Sequence, residues 1–166
     1  MRCPVCGKAL QTITVADVSV EVCKGGCGGL WFDSYELQKF DEPHEAAGEA
    51  LLDVPRDEKI KVDHTRKHNC PKCDNIVMLR RFFNVKRQVE IDECPRCAGV
   101  WLDSGELGTI RKTHMSPQEM EKAVQEYFRE ILGPDFATEQ THSDLGTSRR
   151  IAQVFRFLTP RSRFWH

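Results

Sequence analysis

No apolar run in this chain approaches the roughly 18 residues needed to cross a bilayer. Its first residues, MRCPVCGKAL, contain no apolar core of a secretory signal. These two absences set the expectation of a cytoplasmic protein without a transmembrane segment, in a reducing compartment. A surplus of charge is missing as well. The formal net charge is −1, so the chain is not a globally basic nucleic-acid binder, and any such role must be local. There is no HExxH motif, no phosphate-cradling glycine loop and no nucleophile–base pair. Without these the expectation is that the protein is not an enzyme. What the chain does have is eight cysteines among 166 residues.

The cysteines fall in an internal repeat. Cys3-Pro4-Val5-Cys6 recurs as Cys70-Pro71-Lys72-Cys73. Cys27, Trp31, Asp33, Glu36 and Leu37 recur 70 residues later as Cys97, Trp101, Asp103, Glu106 and Leu107. Matches at so many positions mark a tandem duplication. The organisation read from it has a first repeat at 1–40, an acidic-to-basic linker at 41–68 and a second repeat at 69–113. An amphipathic helix at 114–133 follows, then a polar linker with a basic C-terminal helix at 134–166.

Each repeat reads as a knuckle, a hairpin, a second knuckle and a helix start. Ile13 and Val15 alternate on one strand and Val18, Val20 and Val22 on the next, with a turn at Ala16-Asp17. The second hairpin pairs roughly 76–83 with 88–93, its tip at Asn84-Val85-Lys86-Arg87. Asp33 precedes Glu36, and Asp103 precedes Glu106, at the spacing of a capping box. Trp31 and Trp101 sit beside these caps and read as core residues. In the linker, Ala46–Leu52 suggests a helical turn or two. Further on, Ser116, Pro117 and Glu119 open the clearest helix, with Met120, Val124, Tyr127, Phe128 and Ile131 on one face and Gly133-Pro134 as its stop.

Zinc takes four ligands in a tetrahedron, and two Cys-x2-Cys-like turns brought together by a hairpin supply them. The first set is Cys3, Cys6, Cys23 and Cys27; the second is Cys70, Cys73, Cys94 and Cys97. No cysteine is left over, and two zinc ions per chain are expected. The competing readings are disulfides, which a reducing compartment disfavours, and rubredoxin-like iron, because Cys3-Pro4-Val5-Cys6-Gly7 is similar to an iron knuckle. Four sulfurs per ion make a closed, structural site. Two zinc tetrathiolates would bring the chain to about −5. The six histidines hold no repeat position and are expected at the surface.

The pattern Cys-Pro-x-Cys, a hairpin, then Cys-x-x-Cys-x-Gly-x-Trp-Leu-Asp-x-Gly-Glu-Leu resembles the bacterial zinc-finger family named for transcription factor IIB. The second repeat fits throughout, in CPKC and CPRCAGVWLDSGEL. The first departs from it: CKGGC is one residue longer, and Tyr35 stands where Gly105 stands. The resemblance implies a small zinc-stabilised α+β fold, with two tandem zinc ribbons (a β-hairpin plus a short helix each) followed by C-terminal α-helices. It also implies a role near nucleic acid or the transcription machinery.

Two surfaces are singled out. Arg80, Arg81, Phe82, Phe83, Lys86 and Arg87 interleave charge and rings at the second hairpin, as a nucleic-acid strand would require. In the competing reading, a phenylalanine packs inward and the arginines are solvated. The C-terminal segment sets Ile151, Val154, Phe155 and Leu158 at helical spacing among five arginines. Such helices bind a protein partner or self-associate. The function expected is therefore a nucleic-acid- or transcription-associated binding module, the alternative being a protein–protein adaptor with purely structural zincs.

Overall fold

Alternating valines make the first hairpin. Strand β1 (Gln11–Val15) pairs antiparallel with β2 (Val18–Val22), with Val15 opposite Val18. Ala16 and Asp17 both take positive φ, 47° and 63°, the geometry that matches a two-residue turn to strand twist. Val18, Val20 and Val22 are buried while β1 lies at an exposed edge. The computed structural model describes residues 1–43 and 46–132.

The second hairpin is shorter than its apolar pattern suggests. β4 (Leu79–Phe82) pairs with β5 (Glu90–Glu93), Phe82 opposite Glu90. Two further strands carry no alternation at all: β3 (Leu30–Phe32) and β6 (Val100–Leu102) have every residue buried. β3 pairs with β2, β6 pairs with β5, and β3 and β6 pair with each other. The result is one six-stranded antiparallel sheet in the order β1-β2-β3-β6-β5-β4. The two repeats are therefore halves of a single sheet, joined by a register centred on Trp31 opposite Trp101.

The helix starts differ between the copies. The second repeat closes with α2 (Glu106–Lys112), whereas the first makes only a 3-10 turn, Leu37–Lys39. Pro43 disfavours α conformation in the residue before it and so limits extension of that turn. The capping expectation needs a correction. Glu36 and Glu106 do reach back to the amides of Asp33 and Asp103, at 2.7 Å each. The aspartates cap nothing, because their Oδ1 atoms accept the indole N–H groups of Trp31 (3.1 Å) and Trp101 (2.9 Å). The position before α2 is Gly105, at φ 89° with no side-chain cap. A buried indole N–H must find an acceptor, and that demand takes precedence over capping.

The segment 41–68 is held rather than free. It carries a short helix, α1 (Ala46–Glu49). Gly25 N–H donates to Pro55 O (2.6 Å) and Asp57 N–H to Gly26 O (2.8 Å), against the first repeat's second knuckle. Ile60 and Val62 pack on the core. Arg111 on α2 is buried, and it donates to Phe40 O (2.9 Å), Pro43 O (3.2 Å) and Glu49 Oε1 (2.9 Å). One guanidinium thus ties the exit of the first repeat to the helix of the second. Lysine has three donors, but all on one nitrogen, and lacks the planar fork that reaches acceptors set this far apart. Arg111→Lys is expected to cost about 2 kcal/mol, measured as a lower urea midpoint of the zinc-loaded protein with unchanged slope.

The described residues divide into two compact units: Met1–Phe82 with Val89–His114, and Phe83–Gln88 with 115–132. All six strands lie in the first. The second holds the tip of the β4–β5 hairpin and α3 (Pro117–Leu132). Ser116 and Glu119 form the expected capping box: Ser116 N–H donates to Glu119 Oε2 (2.8 Å) and Glu119 N–H to Ser116 Oγ (3.3 Å). Phe128 is buried on the apolar stripe and Ile131, at its end, is exposed. The Gly133-Pro134 stop and the basic helix near 149–158 lie outside the described residues.

Candidate metal centres

Each repeat gathers its cysteines to one place. The four Sγ atoms of Cys3, Cys6, Cys23 and Cys27 all lie within 4.8 Å of one another, as do those of Cys70, Cys73, Cys94 and Cys97. Zinc with sulfur at about 2.3 Å in a tetrahedron needs sulfurs about 3.8 Å apart. The separations are 3.4 Å for Cys3–Cys27 and for Cys6–Cys23, and 3.8 Å for Cys70–Cys97. Donor type, number and spacing all fit zinc. Either group can hold one ion.

The backbone is arranged for thiolate. Within each Cys-x2-Cys turn the second amide points at the first sulfur: Cys6 N–H on Cys3 Sγ at 3.4 Å, Cys73 N–H on Cys70 Sγ at 3.2 Å. The sulfurs also compete for charge. The Cys27 thiol beside it pulls Cys3 down to about 5. Cys27 is pushed far up in return, by that contact and by burial. Burial raises Cys23 to about 12 and also raises Cys70. Without a divalent ion, four sulfurs this close cannot all ionise. Zinc supplies the charge that lets them, and its binding displaces protons.

Polar groups cluster beside the second centre. His68 was expected at the surface and is instead buried, its Nδ1 3.0 Å from Asp92 Oδ2. Asp92 also accepts from Arg80 Nε (3.1 Å). His64 Nδ1 lies 3.2 Å from Asp103 Oδ2. In the first repeat the matching carboxylate, Asp33, takes Lys72 Nζ at 2.6 Å. Burial, with Asp103 and Asp92 nearby, raises Glu106 to about 7. A carboxyl raised in the folded state favours folding most below its unfolded value of about 4.5, and that advantage is lost as pH rises toward 7. Glu106→Gln keeps an oxygen for the Asp103 amide and removes the charge. It is expected to stabilise the zinc-loaded protein by about 1–2 kcal/mol at pH 8 and by less at pH 6, read from urea midpoints at both pH values.

The six residues of the expected nucleic-acid patch divide between the two units. Arg80 is committed to Asp92 and to the backbone carbonyls of His64 and Arg66. Arg81 pairs with Glu93 on the facing strand. Phe82 is exposed and Phe83 half-buried. Arg87 donates to Tyr127 Oη (2.8 Å) and stacks 5.0 Å from the centre of that ring. Lys86 is exposed at the turn, its amide held by Asn84 Oδ1. The cross-strand acids are not visible in the sequence: only the register sets Asp92 directly opposite Arg80 and Glu93 diagonally across from Arg81.

No helix among the described residues is long and apolar enough to cross a membrane. Neither the curated proteins nor the solved structures yield a match to the chain. A family model does: that of the transcription factor zinc-finger matches residues 2–42 and 69–112, just over half of the chain. The two matched segments are the two repeats, and each contains one complete set of four clustered cysteines. With ligand set, geometry and sequence in agreement over both copies, the chain belongs to the transcription factor zinc-finger family, as a tandem pair of zinc-ribbon domains.

Proposed function

We propose that the protein is a non-enzymatic, cytoplasmic binding module associated with transcription, in which both zinc ions are structural and docking to a protein is the main mode of recognition. The non-enzymatic part rests on the ligand sets. Four sulfurs around each ion leave no coordination position for a reacting water. The preference for a protein partner rests on one observation: Arg80 and Arg81, the centre of the basic hairpin, are committed to Asp92 and Glu93. Guanidinium groups already paired with carboxylates release few counterions on meeting phosphate, and counterion release dominates nucleic-acid affinity. The exposed Ile131 on α3 supports an apolar contact with such a partner.

Direct nucleic-acid binding is the second reading. It is supported by Lys86, exposed at the tip of the second hairpin. One experiment separates the two. The tagged protein is purified from its own cells with and without nuclease, and the retained proteins are quantified. Retention of transcription proteins after nuclease supports the adaptor reading. Their loss, together with salt-dependent binding of a fluorescent single strand that Lys86→Ala weakens, would establish the nucleic-acid reading instead.

A further inference from the structure

We infer that the two zinc sites form one cooperative unit, so that loss of either ion loosens the other site and the metals leave as a pair. This rests on reading both cysteine groups as zinc sites, and it concerns how they are regulated.

The argument begins at two glycines. In each repeat the backbone bonds that close the second knuckle include one from cysteine to glycine: Cys23 N–H to Gly29 O, and Cys94 N–H to Gly99 O, both 2.9 Å. Each of these glycines is covered by the tryptophan of the opposite repeat. A Cβ on Gly29 would collide with the ring of Trp101, and a Cβ on Gly99 with the ring of Trp31. Both tryptophans are fully buried. So the backbone that closes one metal knuckle is the floor on which the other repeat's tryptophan rests.

The tryptophans are in turn held by their own repeats. Trp31 Nε1 donates to Asp33, and Trp101 Nε1 to Asp103. Asp33 also takes Lys72, which lies between Cys70 and Cys73 of the second centre. The circuit is therefore closed: the first knuckle of site two holds Asp33, Asp33 holds Trp31, and Trp31 covers the glycine that closes the second knuckle of site two. Trp31 also sits opposite Trp101 across β3 and β6, and Trp101 covers Gly29 at site one. Five of the eight cysteines and both tryptophans belong to a single buried cluster, and the other three cysteines pack against it. Close-packed interiors of this kind pass strain on rather than absorb it. Opening one knuckle removes the support of the strand that covers the other.

Reciprocity follows from linkage: whatever site one does for site two, site two does for site one to the same degree. The test counts metals. The zinc-loaded full chain is titrated with a chelator under reducing conditions, and native mass spectrometry gives the two-zinc, one-zinc and zinc-free fractions. Independent sites of equal affinity put about half of the molecules in the one-zinc form at half-removal, and unequal independent sites put more there. Tenfold coupling lowers that fraction to about a quarter. The expected result is a quarter or less for wild type. In Gly99→Ala, and in the milder Trp31→Phe should the first fail to fold, the fraction should rise toward half. A wild-type one-zinc fraction of half or more means that the metals do not leave as a pair; it overturns the proposal and leaves the zinc assignment standing. A folded chain that carries no zinc overturns both. Strong coupling that persists unchanged in Trp31→Phe and in a folded Gly99→Ala refutes the tryptophan–glycine route.

Discussion

Removing both zinc ions with a chelator, under reducing conditions, should unfold residues 1–114. The expected readout is loss of the near-ultraviolet circular dichroism of Trp31 and Trp101 and of far-ultraviolet β signal, both recovered on adding zinc. A structural zinc is worth about 10–16 kcal/mol of folding free energy in small domains at pH 7, while a whole domain is stable by only about 5–15 kcal/mol. Here the cysteines are part of the core itself. Cys3, Cys23, Cys27, Cys70 and Cys94 are buried in one cluster with both tryptophans. Without the ion those positions hold mutually repelling thiolates or thiols with few partners. An apo protein that keeps its tryptophan signal and its sheet would contradict a structural role for the metal.

Trp101→Ala is the single substitution outside the cysteines expected to cost most, at about 4 kcal/mol or more. The ring is fully buried, packs on Gly29 and stands at the centre of the β3–β6 junction. Its loss leaves a large cavity and removes the indole N–H that Asp103 Oδ1 accepts. Trp101→Phe separates the two contributions. It retains most of the packing and loses the N–H, so about 1–2 kcal/mol is expected. Urea midpoints of the zinc-loaded variants provide the measurement. Equal losses for Ala and Phe would mean that the hydrogen bond, not the packing, holds the junction.

The duplication, both ligand sets and the first hairpin were legible in the sequence, for local reasons. Cysteine spacing is a direct statement of coordination number, since a tetrahedral ion asks for two close pairs. The valine alternation over 18–22 is the period of a half-buried strand, and Ser116-Pro117 with Glu119 is a local hydrogen-bond device. None of these needs knowledge of a distant residue. Even the misread cap at Asp33 and Asp103 had half its basis right: the glutamates bond back as the spacing implies, while the aspartates answer to the tryptophans.

What only the tertiary structure decided is everything that depends on one repeat meeting the other. Leu30–Phe32 and Val100–Leu102 are three residues long and buried throughout. They show no alternation because they have neighbours on both sides, and a periodicity argument cannot see them. Their pairing turns two ribbons into one sheet. The same holds for Arg111, which reads as an ordinary helix cation until the carbonyls of Phe40 and Pro43 are brought to it. It holds for Arg80 and Arg81, whose charges face phosphate in the sequence and carboxylate in the fold. Sequence spacing determined which atoms bind metal, because those bonds are short-range and strongly directional. Packing decided which side chains stayed available for anything else, because burial and ion pairing depend on the whole register of the sheet.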